Sequence, residues 1–491
     1  MNKTSIKRIL CIVCVLCMTV SMLACCNGNK DVVSGGSNVS GTITSSNITS
    51  NGSNTTSDGS SNSEATSTDS STNTSLPSGM ISDPVGSNPD WDPYKDMPKN
   101  IKGQVVRFAT WIDHENGTEA KVPLANMMED IGIGMKTYFV EQVDYETKLL
   151  NKINAGDIPD IFVENNGFPR CLDFAAPIDT VTHMSLDDPI WDKDLMEYAH
   201  LGDHYYLVNA YNSPWREGDL VFFNKTLFEE NGIKSPAEYY EDGEWTWANF
   251  EKACREISAL GKDYYGCHIS SESLYGTVGV GFADFDKKTH KFVNNSKSQD
   301  YVDVIEFQAS LTASDLRHDD HQSFINGKTG MYLIGVYGLK STGYFADMDP
   351  EDLGFTYPPA KDANSTAYVR GIYRMYGIID GAPHADAAGY ALRYFLDYKN
   401  YELDNTFVSD EAMEFYYEIT AYNPYFMFIE GLAPLVGSTW FYTCQSIYRA
   451  APGQVQTAID AQANLIQSEI DAGNQRIAEI ITKHKGRQPM N

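Results

Sequence analysis

Trp111 and Asp113 stand two residues apart at the end of the run GQVVRFATWID, and Glu164, Asn165 and Asn166 follow the apolar run DIFV without a break. A third such mixture lies in YNSPWREGD, where Tyr211 and Trp215 fall on either side of Pro214. Flat rings beside carboxylates and amides suit the holding of a ligand with an apolar C–H face and a hydroxyl-lined edge. A buried hydroxyl left unmatched costs about 1–3 kcal/mol, so such a ligand needs polar groups around its aromatic plates. Pro214 argues against a regular helix at Trp215, which leaves that ring without an obvious core to fill.

Motifs for covalent, phosphate or metal chemistry fail in turn. INGKTG carries the Gly327-Lys328-Thr329 of a phosphate loop, but the position five residues before Gly327 is Gln322 instead of glycine. There is no Gly-x-Ser-x-Gly elbow and no His-Glu-x-x-His pair. RHDDHQS (Arg317–Ser323) reads as a solvated loop, so no metal and no cofactor is expected. Cys171, Cys254, Cys267 and Cys444 are scattered, with no Cys-x-x-Cys spacing; Cys254 and Cys267 either pair or remain buried thiols. Paired carboxylates of the glycosidase kind stay open, because their separation cannot be read from a sequence.

The elements that must position these residues alternate. GQVVRFATWID reads as a strand, and KLLNKINAGDIPDIFV as helix, Gly156 turn and buried strand. DLVFFNKTLFEENGI is again strand then helix. EWTWANFEKACREISAL starts a helix with Thr246 as N-cap and puts Phe250, Ala253, Cys254 and Ile257 on one face. Trp245 and Trp247, at its entry, read as structural. ADFDKKTHKFVNN is a hairpin, GKTGMYLIG a turn and buried strand, and AAGYALRYFLDY and QVQTAIDAQANLIQSEI are helices. Strands alternating with helices imply an α/β body.

In front of that body, Lys3, Lys7 and Arg8 precede an apolar run that closes on MLACC. This is an export leader (residues 1–24), too short to be a membrane span. MLAC resembles a bacterial lipobox, with Cys25, or less well Cys26, as the acylated residue carrying palmitate-type chains. Residues 25–100 are dominated by Ser, Thr, Asn and Gly and are expected to be a disordered tether; its rms reach is roughly 40–50 Å. The net charge of −29 argues against nucleic acid or anionic lipid as a partner.

The order of the pieces resembles the extracellular solute-binding proteins of bacterial ABC transporters, in the group typified by maltose- and oligosaccharide-binding proteins. The stretches carrying the resemblance are KLLNKINAGDIPDIFV, YYLVNAYNSPWREGDLVFFNKTLFEENGI, WTWANFEKACREI, FDKKTHKFVNN, SFINGKTGMYLIGVYG, DAAGYALRYFLDY and STWFYTCQSIYRA, over roughly residues 101 to 485. The resemblance implies an α/β, two-lobed periplasmic-binding-protein type II-like fold with a hinge and an interlobe cleft. It places residues 101–211 with 372–436 in lobe 1, and residues 212–371 with 437–491 in lobe 2. The crossings fall near Ala210–Asp219 and Tyr368–Tyr376.

It adds Tyr337, Arg370, Tyr373, Tyr376 and one of Trp440 and Phe441 to the ligand-binding candidates Trp111, Asp113, Glu164, Asn165, Tyr211 and Trp215. The implied function is capture of a sugar or oligosaccharide outside the cell, without catalysis, for delivery to ABC permease subunits. The protein would be a monomer held at the outer face of the cytoplasmic membrane by its lipid alone, in the Gram-positive manner. The rivals are a surface-anchored glycoside hydrolase, a polysaccharide adhesin, and a binding protein for a peptide or other polar metabolite.

Overall fold

The computed structural model describes residues 91–490 except 117, 166, 212, 216–217, 271–272, 372–373, 404–405, 422–423 and 427–445. The leader, Cys25, Cys26, most of the tether, Cys444, and the candidates Tyr373, Trp440 and Phe441 lie outside the described residues.

VVRFAT is rich in residues that suit a buried, pleated backbone, and Val105–Thr110 forms strand β1. Parallel strands need crossover helices between them. The chain supplies α1 (Lys121–Asp130) before β2 (Gly134–Phe139), and α2 (Tyr145–Asn154) before β3 (Ile161–Val163). Both β2 and β3 pair in parallel with β1. Helix α2 buries Tyr145 and Leu149, and Gly156, at φ +85°, turns the chain out of it.

The chain then leaves for a second sheet, built from β4 (Asp219–Asn224), β5 (Tyr265–Ile269), β6 (Thr329–Gly335) and β7 (Leu353–Thr356) in the order β7-β4-β6-β5. Strand β4 runs antiparallel to β6 and β7, and β5 runs parallel to β6. Helix α3 (Trp247–Ser258) buries the expected face of Phe250, Ala253, Cys254 and Ile257. Thr246 makes no side-chain cap; the Trp247 N–H instead donates to the Ala360 carbonyl at 2.8 Å. Trp245 and Trp247 are both buried, and Trp247 stacks on Phe307 of helix α4 (Gln299–Ala313) at 4.9 Å. Cys171, Cys254 and Cys267 are buried free thiols.

Strand β8 (Tyr376–Ile378) returns to the first sheet and pairs antiparallel with β3, giving the order β8-β3-β1-β2. Helix α5 (Ala385–Leu396) follows and sets Phe395 edge-on to Phe108 of β1 at 5.4 Å.

The next helix, α6 (Asp410–Ala421), corrects one boundary. Residues 372–436 were expected to stay with the first sheet, yet α6 buries Ala412, Tyr416, Tyr417 and Ile419 in one cluster with Leu220, Phe222 and Tyr332 of the second. The Val408 N–H donates to the Leu339 carbonyl, and the Tyr416 hydroxyl to the Pro214 carbonyl at 2.8 Å. The third crossing therefore falls between α5 and α6. An apolar helix face shows that a sheet must cover it, but not which sheet.

Helix α7 (Val455–His484) was expected to pack back on the second lobe, and its first turn does so. Glu306 of α4 accepts from the Gly453 and Val455 N–H groups. Its far end does not. Arg476 pairs with Asp173 at 2.8 Å, the His484 ring bonds the Tyr206 hydroxyl at 2.9 Å, and the Met490 N–H donates to the Asp179 carbonyl. Midway, Asn474 holds Phe292 of the hairpin 283–294, whose Phe285 and Phe292 enclose Phe168, the residue four beyond Glu164.

Candidate functional site

The C-terminal ends of parallel strands are where α/β sheets expose ligand loops, and three of the expected residues sit there together. Trp111, just past β1, lies edge-on to Tyr145 at 5.2 Å and under the guanidinium of Arg374 at 4.7 Å. Arg374 also donates to the Asn165 side-chain carbonyl at 3.1 Å. Asn165 follows β3 and Arg374 precedes β8, so adjacent strands of one sheet position ring, amide and cation as a unit.

Glu164 belongs to this cluster but faces inward. Its carboxylate accepts from the Gly167 and Phe168 N–H groups at 2.5 and 3.2 Å, and it is buried. Burial, and then the neighbouring Glu146 carboxylate, raise its pKa to about 7. Asp113 is exposed and turned onto its own loop, where it accepts from the Glu115 and Asn116 N–H groups. It shapes the Trp111 loop as an Asx turn does.

Trp215 fills a place between the sheets. Its ring lies parallel to Phe395 at 6.0 Å and edge-on to His114 at 4.9 Å, and its indole N–H donates to the Tyr401 hydroxyl at 3.0 Å. His114 is buried beside Phe108, and burial lowers its pKa to about 4, so the ring is neutral. The Lys340 ammonium lies 5.3 Å over the Trp215 ring and pairs with Glu119 from the loop after β1. Lys340 and Glu119 side chains are only 8% and 13% exposed, so this ion pair joins the two halves of the molecule out of bulk water.

Arg370 is tied to Asp219 at the start of β4 and braces the crossing. Tyr376 is buried in β8. Tyr211 is 44% exposed on the first crossing, and Tyr337, just past β6, is exposed to the same degree. The structure thus brings Trp111, Glu164 and Asn165 together, sets Trp215 under the Lys340 ammonium, leaves Tyr337 exposed three residues before Lys340, and uses Arg370 and Asp113 as braces.

Sequence reading passed over Arg374, Glu119 and Lys340. Arg374 lies in YVRGIYRMYG, four residues after Arg370, and spacing alone does not separate the brace from the residue that reaches Trp111. Glu119 and Lys340 are single charges in loops, with no pattern to mark them.

Two sheets flanked by helices and joined, among the described residues, by three loop crossings and by the length of α7, with polar and aromatic loops between them, define a two-lobed fold of the maltose-binding type. The model of the family described as bacterial extracellular solute-binding protein matches residues 126–402, and the chain belongs to that family. The putative ABC transporter periplasmic-binding protein YcjN of Escherichia coli (strain K12) is 20% identical over 258 residues, which is 49% of this chain and 56% of that relative. The match spans little more than half of the relative's length.

Solved structures similar in fold include the cyclic alpha-maltosyl-1,6-maltose binding protein of Arthrobacter globiformis, at TM-score 0.52 and 14% identity over 78% of this chain and all of the other. The sugar-binding protein MalE of Xanthomonas citri gives TM-score 0.52 and 16% identity over 78% and 98%. A transporter-associated binding protein of B. animalis subsp. lactis Bl-04, in complex with beta-1,6-galactobiose, gives TM-score 0.54 and 14% identity over 76% and 98%.

Proposed function

We propose that this protein captures a sugar or short oligosaccharide outside the cell and hands it, unaltered, to the permease subunits of an ABC transporter. The observation that carries this reading is the Trp111–Arg374–Asn165 unit at the mouth of the first sheet, with Tyr337 on the second sheet's side. An aromatic ring capped on one face by a guanidinium, with an amide beside it, meets both needs of a sugar ring: its other face can cover the C–H side, and the cation and amide can partner the hydroxyls. The sugars named for the fold relatives agree in class. Closure of the lobes around such a ligand would complete its shell. The leader, with Cys25 or Cys26 as acylated residue, and a tether that ends before Tyr94 instead of at residue 100, since Tyr94 and Met97 pack against the core, would hold the body at the outer face of the membrane.

The test is calorimetric titration with maltose and β-1,6-galactobiose, with the solution then chromatographed for cleavage products. We expect saturable binding to at least one sugar, no product, and at least tenfold weaker binding in Trp111→Ala. Product formation would make the protein a hydrolase and end the proposal. Labelled palmitate should enter the wild type and be lost from the Cys25→Ser variant.

A further inference from the structure

The loop after β6 carries, beside Tyr337, a second ring that the binding reading does not use. Tyr337 and Tyr344 stand edge-to-face, with ring centroids 5.3 Å apart and planes at 81°, and they are 44% and 43% exposed. A tyrosine can bury about 150–250 Å² of largely apolar surface, so two such rings left side by side in water forgo a large gain.

The loop is built to keep them there. The Tyr337 hydroxyl donates to the Thr342 carbonyl at 3.1 Å, the Lys340 N–H to the Tyr337 carbonyl, and the Gly343 N–H to the Lys340 carbonyl at 2.8 Å. A Cβ on Gly343 would stand 1.9 Å from the Tyr337 carbonyl oxygen, so only glycine lets the loop close this tightly and bring residue 344 back to residue 337. The loop is tied at its start and at its middle to the region between the sheets. The Val336 N–H donates to the Gly218 carbonyl on the first crossing, and Lys340 pairs with Glu119 on the loop that begins at Trp111.

Resting on the sugar-binding reading above, we propose that Tyr344 is a second sugar plate. Set at a right angle to Tyr337, it makes a corner that selects linked, kinked sugar units over a single ring. A flat pair of plates would favour a straight chain; perpendicular plates cover two rings only where the glycosidic link bends between them. Each ring is flat and rigid, so little side-chain entropy is lost on binding, and the loop is already ordered, which lowers the cost of capture.

Calorimetric titration of the wild type, Tyr344→Ala, Tyr344→Phe and Tyr337→Ala with galactose, β-1,6-galactobiose, glucose and maltose tests this. The wild type should bind at least one disaccharide tenfold or more tighter than its monosaccharide. Tyr344→Ala should lose about tenfold for the disaccharide, equivalent to about 1.4 kcal/mol, with the monosaccharide unchanged. Tyr344→Phe should behave as the wild type, and Tyr337→Ala should weaken both ligands. A Tyr344→Ala protein with native circular dichroism and an unchanged disaccharide-to-monosaccharide ratio overturns the second plate while leaving sugar capture standing. A wild type that takes none of the four sugars removes sugar capture itself, and the corner with it. Should Tyr344→Ala fail to fold, Tyr344→Leu keeps the bulk without the flat face and is read in the same way.

Discussion

At the scale of single residues, the buried carboxyl of Glu164 makes the sharpest forecast. Its folded pKa of about 7 lies above the ordinary 4.5, so between those values the folded chain holds a proton that the unfolded chain has released. Stability contributed by this group is therefore full below about pH 4.5 and declines as pH rises through 7. His114 and His484 work in the opposite sense: burial lowers each to about 4, so they cost stability as pH falls below the ordinary 6.5. The comparison with Glu164→Gln isolates the carboxyl. We expect the wild type to lose on the order of 2 kcal/mol relative to that variant between pH 5 and pH 8, read from urea unfolding at both pH values. Arg374 makes a second forecast. Arg374→Lys keeps the charge but cannot lay a plane on Trp111 while reaching Asn165, so sugar affinity should fall about fivefold to tenfold by calorimetry.

At the scale of elements, the Lys340–Glu119 pair joins loops from different sheets. Removing one partner of a buried pair leaves the other charge uncompensated, at about 3–5 kcal/mol, whereas replacing both is often nearly neutral. Lys340→Met should thus destabilise strongly, and adding Glu119→Gln should recover most of the loss. Equal stability of the single and double variants in thermal unfolding would mean that the charges do not meet.

Legibility in the sequence divides along the same line. Strands β1, β3, β4 and β6 and helices α2, α3 and α5 were readable because local apolar spacing dictates them. The destination of α6 was not, since its apolar face of Ala412, Tyr416 and Ile419 fits either sheet. Trp111 and Asn165 were readable as candidates because they end strands, and strand ends are where ligand loops form. Arg374, Lys340 and Glu119 act through contacts with residues far along the chain, and no local pattern records those.

At the scale of the molecule, helix α7 constrains how the two halves can move. Thirty residues of α-helix span about 45 Å. This one is fixed at its start to α4 through Glu306, at its middle to the hairpin through Asn474, and at its end beside the first sheet. That last anchor lies at the side remote from the ligand loops. Asp380, which pairs with Lys483 and Arg487, comes two residues after β8, whose end pairs with the start of β3. The ion pairs there are partly exposed and contribute little. The hold comes from Ile477 and Ile480, which are buried, and from His484, fully buried against Tyr206. A rigid strap with anchors on both halves must bend, slide or detach if the hinge opens widely, so it should limit opening in the absence of ligand. Ending the chain at Gln475 keeps the Glu306 and Asn474 anchors and removes the last. We expect the radius of gyration of the ligand-free protein to rise in solution scattering, the sugar-bound value to stay at that of the wild type, and sugar affinity to weaken, because closure then starts from a wider ensemble. Identical scattering curves for the ligand-free wild type and the shortened protein would show that the hinge moves independently of α7.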